Sequence, residues 1–477
     1  MGVAMPHSPS ARTACAIAVS AALVAARAWG DAAEPARGAD PSPSALIGAP
    51  PLDDALPGPW IRRGPRRPAS APERTACSFR HPACVRAAAA APPARVLAAL
   101  ASIDRAWDAA TGPLSLPPPD ASFATGTYDV YLVERPLADT LPGSTTVLDE
   151  RDVRGGFDRA SAYSLVDRRV SPGCALDTAI ARELARAILF RVAPATDEGS
   201  ARAETAYLTR LMVPCAMGDA DGIDAFQARP DRAIADAMPG DDPAAATLYG
   251  RGAGLFYWWL DDAFGAAPGS MVRAIWALTP SRTPYGAARF KNEPDGYDVL
   301  RFTFKNALTT GSTVDDLLLD FAAARLFVGA SADDAHLPES RALGDAARVR
   351  LDWDIAWPER PRTLAPLAPI APTGSSYIRV SRRGAPKGSR LRVEASWEEH
   401  AKMRWAVVKL DAAGHEKGRI AIASPERATE AQGTIADLDD ADTVVVVGVA
   451  TGDFTYPFDP DDEIWEPHGW LVTLASE

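Results

Sequence analysis

The chain contains 477 residues, and its 50 Lys and Arg against 62 Asp and Glu give a formal net charge of -12 at pH 7. This length is enough for two or three domains with cores of ordinary size. The acidic balance argues against nucleic acid as a partner, because phosphate binding needs a basic surface and the chain has no run of Lys and Arg.

The N-terminal segment 1–30 has the pattern of a secretory signal peptide. Arg12 precedes an apolar stretch at 14–26, and Ala28-Trp29-Gly30 offers a small-x-small cleavage site. A disordered tail is the alternative interpretation. No later segment is apolar over the roughly 18 residues that a spanning helix needs. We therefore expect a secreted or periplasmic protein without a membrane span.

The cysteines indicate disulfide bonds. Removal of the signal peptide takes Cys15 away, and an even number of cysteines remains, which is typical of disulfide-bonded exported chains. We favour a bond between Cys77 and Cys84, which closes a short loop, and one between Cys174 and Cys215, which would clamp a helical hairpin. Zinc is the competing interpretation, but these spacings fit no common zinc motif.

The composition divides the mature chain into four segments. Segment 31–75 is rich in Pro and Ala and lacks apolar periodicity, so it is expected to be a disordered linker. Segment 76–357 mixes helical and strand patterns. A Pro-rich segment at 358–376 marks a domain boundary, and segment 377–477 contains short strands. The predicted fold class is therefore α+β, followed by an all-β domain.

Within the α+β segment, helices are predicted where apolar residues recur every three or four positions, and strands where aromatic and β-branched residues cluster. Asp197 is a possible cap for one helix, and Ser312 or Thr313 for another. The aromatic run at 254–260 is expected to form core rather than line a groove. The predicted helices are 96–107, 175–192, 197–212, 254–260, 271–278 and 314–327, and the predicted strands are 128–134 and 162–167.

The C-terminal segment shows the alternation of half-buried strands. Residues 349–357 alternate apolar with mostly polar side chains, which predicts a strand at the end of the first domain. Six further strands at regular spacing predict an antiparallel sandwich of immunoglobulin or fibronectin type. They lie at 377–380, 391–397, 405–410, 420–423, 443–449 and 470–474.

One helix carries a degenerate catalytic motif, Arg182-Glu183-Leu184-Ala185-Arg186. In zinc metallopeptidases, His-Glu-x-x-His places two imidazoles one turn apart on a metal, with Glu as general base. Here arginine holds both histidine positions, and a guanidinium has no lone pair for zinc. On a helical wheel the two arginines point away from the predicted apolar stripe of Leu176, Ile180, Leu184 and Ile188.

The order of the elements, from the first helix through two strands to the motif helix and then Glu198-Gly199-Ser200-Ala201, resembles secreted bacterial metalloproteases of the gluzincin kind. This zincin-like resemblance covers the chain from about Cys77 to the end. It implies that Glu183 occupies the general-base position and that Glu198 occupies the position of the third metal ligand, with Glu204 as an alternative.

The histidines argue against a zinc site of that kind. The chain has six, and none lies between residues 82 and 335, so two imidazoles cannot be supplied by the core of the first domain. We interpret the chain as a pseudo-metallopeptidase that has lost its metal. The two arginines then form a charge-compensated cluster with Glu183 and Glu198, or they bind an anionic ligand. The remaining alternative is an ordinary solvated helix face.

Other chemistry has less support. The chain has no Gly-x-Ser-x-Gly elbow and no dinucleotide fingerprint. A glycosidase with paired carboxylates stays open, because spacing alone does not select a pair among the 62 acidic residues. The loop with Asp459, Asp461 and Asp462 could hold calcium, but it lacks the register of an EF-hand and is expected to be a solvated acidic loop.

These patterns predict a secreted, catalytically inactive zincin-like protein without a cofactor. Its expected partner is an extracellular polypeptide or glycan. The alternative is a secreted hydrolase in which Glu183 still acts as base with unusual metal ligands or none. The two hypotheses differ in a simple respect, since only the hydrolase depends on the carboxylate of Glu183.

Overall fold

The computed structural model describes residues 67–68, 74–122, 125–134, 143–154, 157–215, 220–238, 241–282, 291–306, 313–425, 427–455, 457–461 and 466–477. The predicted signal peptide and nearly all of the predicted linker lie outside these residues. The described chain combines helices with three β-sheets and is an α+β protein.

The first sheet is mixed and has five strands in the order β1-β2-β3-β5-β4. Strands β2, β3 and β5 run parallel to one another, whereas the edge strands β1 and β4 are antiparallel to β2 and β5 respectively. The sequence predicts β3 and part of β5. It does not predict β4, because most of its residues are polar and no apolar alternation marks it. The bounds are β1 (Arg74–Cys77), β2 (Ala83–Ala87), β3 (Tyr128–Val133), β4 (Ser144–Arg154) and β5 (Phe157–Asp167).

Three helices of the first unit confirm predicted helices. Helix α1 (Pro93–Thr111) extends beyond the predicted range 96–107 at both ends and stops before Gly112. Helices α2 (Cys174–Val192) and α3 (Glu198–Met212) follow, and the carboxylate of Asp197 caps α3 by accepting a hydrogen bond from the amide of Ser200 at 2.7 Å. All four residues of the predicted apolar stripe of α2 are fully buried.

The described residues of the first unit contain six more α-helices. The aromatic run at 254–260 lies in α6 and is buried, as predicted. Thr313 caps α9 in a reciprocal hydrogen-bond arrangement with Asp316. Helix α9 ends at Ala324, and a short 3-10 turn continues to Phe327. The helices are α4 (Ala220–Gln227), α5 (Pro243–Gly252), α6 (Gly254–Phe264), α7 (Ser270–Leu278), α8 (Gly296–Asn306) and α9 (Val314–Ala324).

The C-terminal unit is a two-sheet β sandwich with a core between its sheets. The sheets have the orders β11-β10-β13-β8-β6 and β12-β9-β14-β7. All six predicted strands are present, with small differences at their ends. The strands are β6 (Trp353–Ala356), β7 (Arg362–Leu364), β8 (Ser375–Ser381), β9 (Leu391–Trp397), β10 (Ala401–Leu410), β11 (Glu416–Ile422), β12 (Glu430–Ile435), β13 (Thr443–Asp453) and β14 (Trp470–Ser476).

Two strands of the sandwich lie outside the segment 377–477. Strand β6 precedes the Pro-rich segment and pairs in parallel with β8, and β7 lies inside that segment and pairs with β14. The strand predicted at 349–357 is therefore shorter than expected and belongs to the sandwich. The composition locates the Pro-rich segment, but the backbone hydrogen bonds between strands decide which sheet each strand joins.

The two units share a packed interface. One face of the sheet that contains β8 and β13 belongs to the same continuous core as the helices. Arg325 crosses this interface and is 1% exposed. Its guanidinium donates to the side chain of Gln227 at 2.8 Å, to the carbonyl of Phe226 at 3.0 Å and to the hydroxyl of Ser375 at 3.2 Å. These bonds satisfy most of the donors of a cation that burial would otherwise penalise.

Both predicted disulfides are confirmed. Cys77 is bonded to Cys84, and Cys174 is bonded to Cys215. The second bond joins the first residue of α2 to the segment that follows α3, and so it clamps the predicted helical hairpin. Disulfides of this kind are typical of proteins from oxidising compartments. No helix in the described part of the chain is long and apolar enough to cross a bilayer.

The Cys174–Cys215 bond is expected to contribute strongly to stability, because it restricts a loop with a sequence separation of 41 residues in the unfolded chain. Replacement of both cysteines by serine should lower the free energy of unfolding by about 4 kcal/mol or less, measured by denaturant titration. Replacement of the Cys77–Cys84 pair, with a separation of 7 residues, should cost less. An equal loss for both pairs would contradict the loop-entropy argument.

Candidate functional site

The motif helix α2 packs against the antiparallel edge strand β4, and Glu183 lies between them. The residue is 5% exposed. Its Oε1 accepts hydrogen bonds from the hydroxyl of Ser144 at 2.8 Å and from Nε of Arg182 at 3.2 Å. Its Oε2 accepts from the hydroxyl of Thr146 at 2.8 Å. Both carboxylate oxygens therefore already have partners within the protein.

The hydroxyls around Glu183 form chains that all lead to its carboxylate. Arg182 donates through Nη2 to Ser144 at 2.6 Å, which leaves the serine proton for Glu183. On the other side, Tyr128, Ser164 and Thr146 are linked by hydroxyl contacts of 2.6 and 2.7 Å. Burial raises the pKa of Tyr128, so its hydroxyl stays a neutral donor. Such a chain of donors suits a carboxylate acceptor at its end.

A second ion pair occupies the other half of the motif. Arg186 donates to Oε2 of Glu198 at 2.8 Å, and Arg202 donates to Oε1 of the same carboxylate at 2.9 Å. The guanidinium of Arg186 also lies 4.9 Å from the ring centre of Phe190. The carboxylate at the predicted third-ligand position is therefore held between two arginines. The motif arginines have side chains only 12% and 13% exposed, which contradicts the alternative of a solvated helix face.

The position of Glu198 depends on the glycine that follows it. A Cβ atom on Gly199 would lie 1.8 Å from the carbonyl oxygen of Ala235, so only glycine lets the first turn of α3 approach this backbone. The Glu-Gly-x-Ala element thus has a steric reason in this fold. It sets α3 close to the segment at 233–236 and directs Glu198 toward Arg186.

Glu204, the alternative third ligand, has different partners. It is 2% exposed, and Nε1 of Trp276 donates to its Oε2 at 2.8 Å. Burial raises its pKa to about 8, and the nearby carboxylate of Asp197 raises it further, whereas hydrogen bonds from Trp276 and Tyr257 oppose the shift. The raised pKa favours the protonated form of Glu204 at neutral pH.

Zinc is the metal that the resemblance implies, and the residues at the motif do not fit it. Guanidinium groups offer only donors, and the carboxylates of Glu183 and Glu198 already accept hydrogen bonds from arginine. Throughout the described ranges, no three side chains of His, Cys, Asp or Glu are arranged to hold a metal ion. No reaction step through a metal follows from this site.

The acidic C-terminal loop is described only in part. Asp459 and Asp461 lie within the described residues, whereas Asp462 lies outside them, so the structure does not test the expected solvated acidic loop against its calcium-binding alternative. The amide of Asn292 donates to the carboxyl of Asp461. Burial raises the pKa of Asp461 to about 8, with Asp197 and other carboxylates contributing.

Sequence reasoning found Arg182, Glu183, Arg186 and Glu198 through the motif. It missed Ser144 and the other hydroxyl-bearing residues around Glu183. Ser144, Thr146, Val147 and Leu148 show no regular alternation of polar and apolar side chains along β4. This strand lies at the edge of the sheet and pairs only with β5. An acidic residue next to the apolar stripe of a helix indicates that hydrogen-bond donors must lie nearby. It does not indicate which strand supplies those donors.

The comparisons with known proteins add little. No protein-family model matches the sequence, and the search of curated proteins also gives no match. The pre-peptidase C-terminal domain of a collagenase from Bacillus anthracis is similar at 5% identity with a TM-score of 0.17, and the match covers 27% of this chain and 97% of that one. The VP2 subviral particle of infectious bursal disease virus is similar at 12% identity with a TM-score of 0.15, covering 24% of this chain and 33% of that one. Neither likeness carries an argument about fold or function.

Thr146→Val is expected to destabilise the protein by about 1–3 kcal/mol, because it removes a donor from the buried carboxylate of Glu183 at nearly constant volume. Denaturant unfolding measures the change. Thr145→Val is the matched control, since Thr145 points to the other face of β4. If both variants lose the same stability, the hydroxyl of Thr146 has no special role.

Glu204→Gln is expected to flatten the dependence of stability on pH. The carboxyl has a pKa of about 8 in the fold against an ordinary value of 4.5, so the folded state binds the extra proton between these values. Its stabilisation is complete below the lower value and is lost as pH rises through the upper one, at about 1.4 kcal/mol per pH unit. Urea unfolding across this interval tests the slope. Exposed Glu359→Gln should keep the wild-type slope, and an unchanged slope in Glu204→Gln would refute the assignment.

Proposed function

We propose that this chain is an exported zincin-like pseudo-metallopeptidase, a non-catalytic protein that binds extracellular polypeptide or glycan. In this proposal the unit at 76–357 is zincin-like and the C-terminal sandwich is of immunoglobulin or fibronectin type. The observation that carries the proposal is the pair of ion pairs at the motif, Arg182 with Glu183 and Arg186 with Glu198. These two ion pairs use all four residues that stand at the positions which the resemblance assigns to the metal ligands and the general base.

The arrangement of the first sheet supports the zincin-like interpretation. Its antiparallel edge strand β4 runs beside the motif helix, and α3 brings Glu198 to the same arginine that replaces the second histidine. The motif on α2 and the Glu-Gly-x-Ala element at the start of α3 therefore meet in space. In the chain, Arg186 and Glu198 are separated by the end of α2 and the turn that connects the two helices.

The geometry favours binding over hydrolysis. A general base needs an oxygen within hydrogen-bond reach of the water that it activates. The oxygens of Glu183 instead accept from Ser144, Thr146 and Arg182, and the residue is nearly inaccessible. Arg182 beside the carboxylate supplies a hydrogen-bond donor but not the Lewis acid that a metallopeptidase uses.

Export is supported by the cysteines. The two disulfides use Cys77, Cys84, Cys174 and Cys215, and the fifth cysteine lies in the predicted signal peptide. Stable disulfides form and persist in the oxidising compartments that exported proteins reach. Secretion or periplasmic localisation is therefore part of the proposal.

The metal content of the purified mature protein, determined by elemental analysis, tests the proposal. Wild type is expected to contain no stoichiometric zinc. Arg182→His combined with Arg186→His is expected to gain about one zinc per chain, because two imidazoles one turn apart then meet the carboxylate of Glu198, whose Oε2 no longer accepts from Arg186 while Oε1 still accepts from Arg202. Arg191→His, on the last turn of the same helix, is the control for adventitious binding by a new histidine.

Two results would overturn the proposal. Stoichiometric zinc in the wild type would show that the protein has ligands other than those at the motif. Hydrolysis of a casein or peptide substrate by the wild type but not by Glu183→Gln would establish the alternative of a hydrolase. A double-histidine variant that folds but binds no zinc would argue against the zincin-like geometry.

A further inference from the structure

A cavity of about 160 Å³ opens beside the motif helix. Its walls come from the first turns of α2, the second half of α3 and the start of α6. The disulfide between Cys174 and Cys215 lies at its rim, and both cysteines are exposed, so the cavity reaches the protein surface. The volume suits a single terminal residue, since pockets for larger ligands are about 300–1,000 Å³.

Three arginines line this cavity: Arg182 from α2, Arg210 from α3 and Arg251 from α5. None of the described lining residues is Asp or Glu. Arg182 is the residue that replaces the first motif histidine, and its Nε and Nη2 groups face Glu183 and Ser144. Clustered guanidinium groups are the usual way in which proteins bind a carboxylate or another anion.

Arg210 is held over an aromatic ring. Its guanidinium carbon lies 3.0 Å from the ring centre of Trp258, which also lines the cavity. Burial lowers its pKa to about 10, and the nearby carboxylate of Glu339 opposes this shift, so the side chain remains a cation at neutral pH. A cation fixed on an aromatic face in this way needs little further ordering when an anion binds.

The rest of the lining combines apolar side chains with the hydroxyl-bearing Thr178, Thr209 and Tyr207. Ile223 and Leu255 are 7% and 2% exposed, and Trp258 is 8% exposed. The hydroxyl of Tyr207, another lining residue, donates to the carboxylate of Asp261 at 2.5 Å. The cavity therefore offers cations to one end of a ligand and apolar surface to the other, which matches a carboxylate beside an apolar side chain.

We propose that this cavity binds the C-terminal residue of a polypeptide, with the arginines on its free carboxylate and the apolar wall against an aliphatic side chain. This inference rests on the proposed binding function and names its site and its ligand class. It also changes the interpretation of the motif arginines. Arg182 lines the cavity, whereas Arg186 is held by Glu198 and does not.

Calorimetric titration of the full mature chain tests the inference with acetyl-Ala-Leu as its free acid and as its C-terminal amide. The acid is expected to bind more tightly than the amide by about tenfold or more, because only the acid offers an anion to the arginines. Arg210→Gln and Arg251→Gln are each expected to weaken binding of the acid by about tenfold. Arg348→Gln removes an exposed arginine that pairs with Asp345, and it should bind as wild type does.

Circular dichroism shows whether each variant folds. If Arg210→Gln does not fold, Arg210→Lys replaces it in the titration, because lysine retains the positive charge but not the guanidinium group. Equal binding of acid and amide, or no binding of either at millimolar concentration, would overturn the inference. Binding of a heparin-derived disaccharide that the peptide acid does not displace would assign the cavity to a glycan and also overturn it. These outcomes leave the metal content and the lack of hydrolysis unchanged, so they are distinguishable from failure of the proposed function.

Discussion

A buried carboxylate that must be fully hydrogen-bonded organises the centre of this protein. Glu183 lies between α2 and β4, where an unpaired charge would cost several kcal/mol. Its bonds to Ser144, Thr146 and Arg182 therefore determine how the helix sits on the edge of the sheet. Once α2 is set in this way, Arg186 on the next turn is directed toward α3.

Two different constraints fix the position of α3, the second helix of the hairpin. Gly199 permits the close approach of α3 to the backbone at Ala235, and the bond between Cys174 and Cys215 ties its far end to the start of α2. The hairpin is thus held at both ends. The cavity with Arg182 and Arg210 lies between the two helices near the disulfide, so the same constraints that stabilise the hairpin also keep the cations in place.

The sandwich is continuous with the helical unit rather than merely attached to it. Arg325 and the hydroxyl of Tyr377 both bridge the interface, the latter donating to the carbonyl of Ala322 at 2.7 Å. Packing of β8 and β13 on α9 places one face of a sheet in the main core. Buried polar bridges of this type favour one orientation between units, because any other orientation would leave their donors unsatisfied.

The sequence by itself determined the class of fold, the helices with strong apolar periodicity and the motif with its two arginines, and it favoured the two disulfide pairings that the structure confirms. These are local properties, since helix periodicity, cysteine number and residue type can all be read along the chain. Only the tertiary structure decided the rest. Strand β4 has no apolar alternation, and the hydroxyl partners of Glu183 lie 37 to 39 positions away along the chain. Helix packing also decides that Arg210 and Arg251 line the same cavity as Arg182. Side chains that are distant in sequence come together only when the core and its sheet pairing are complete, and no local pattern encodes that arrangement.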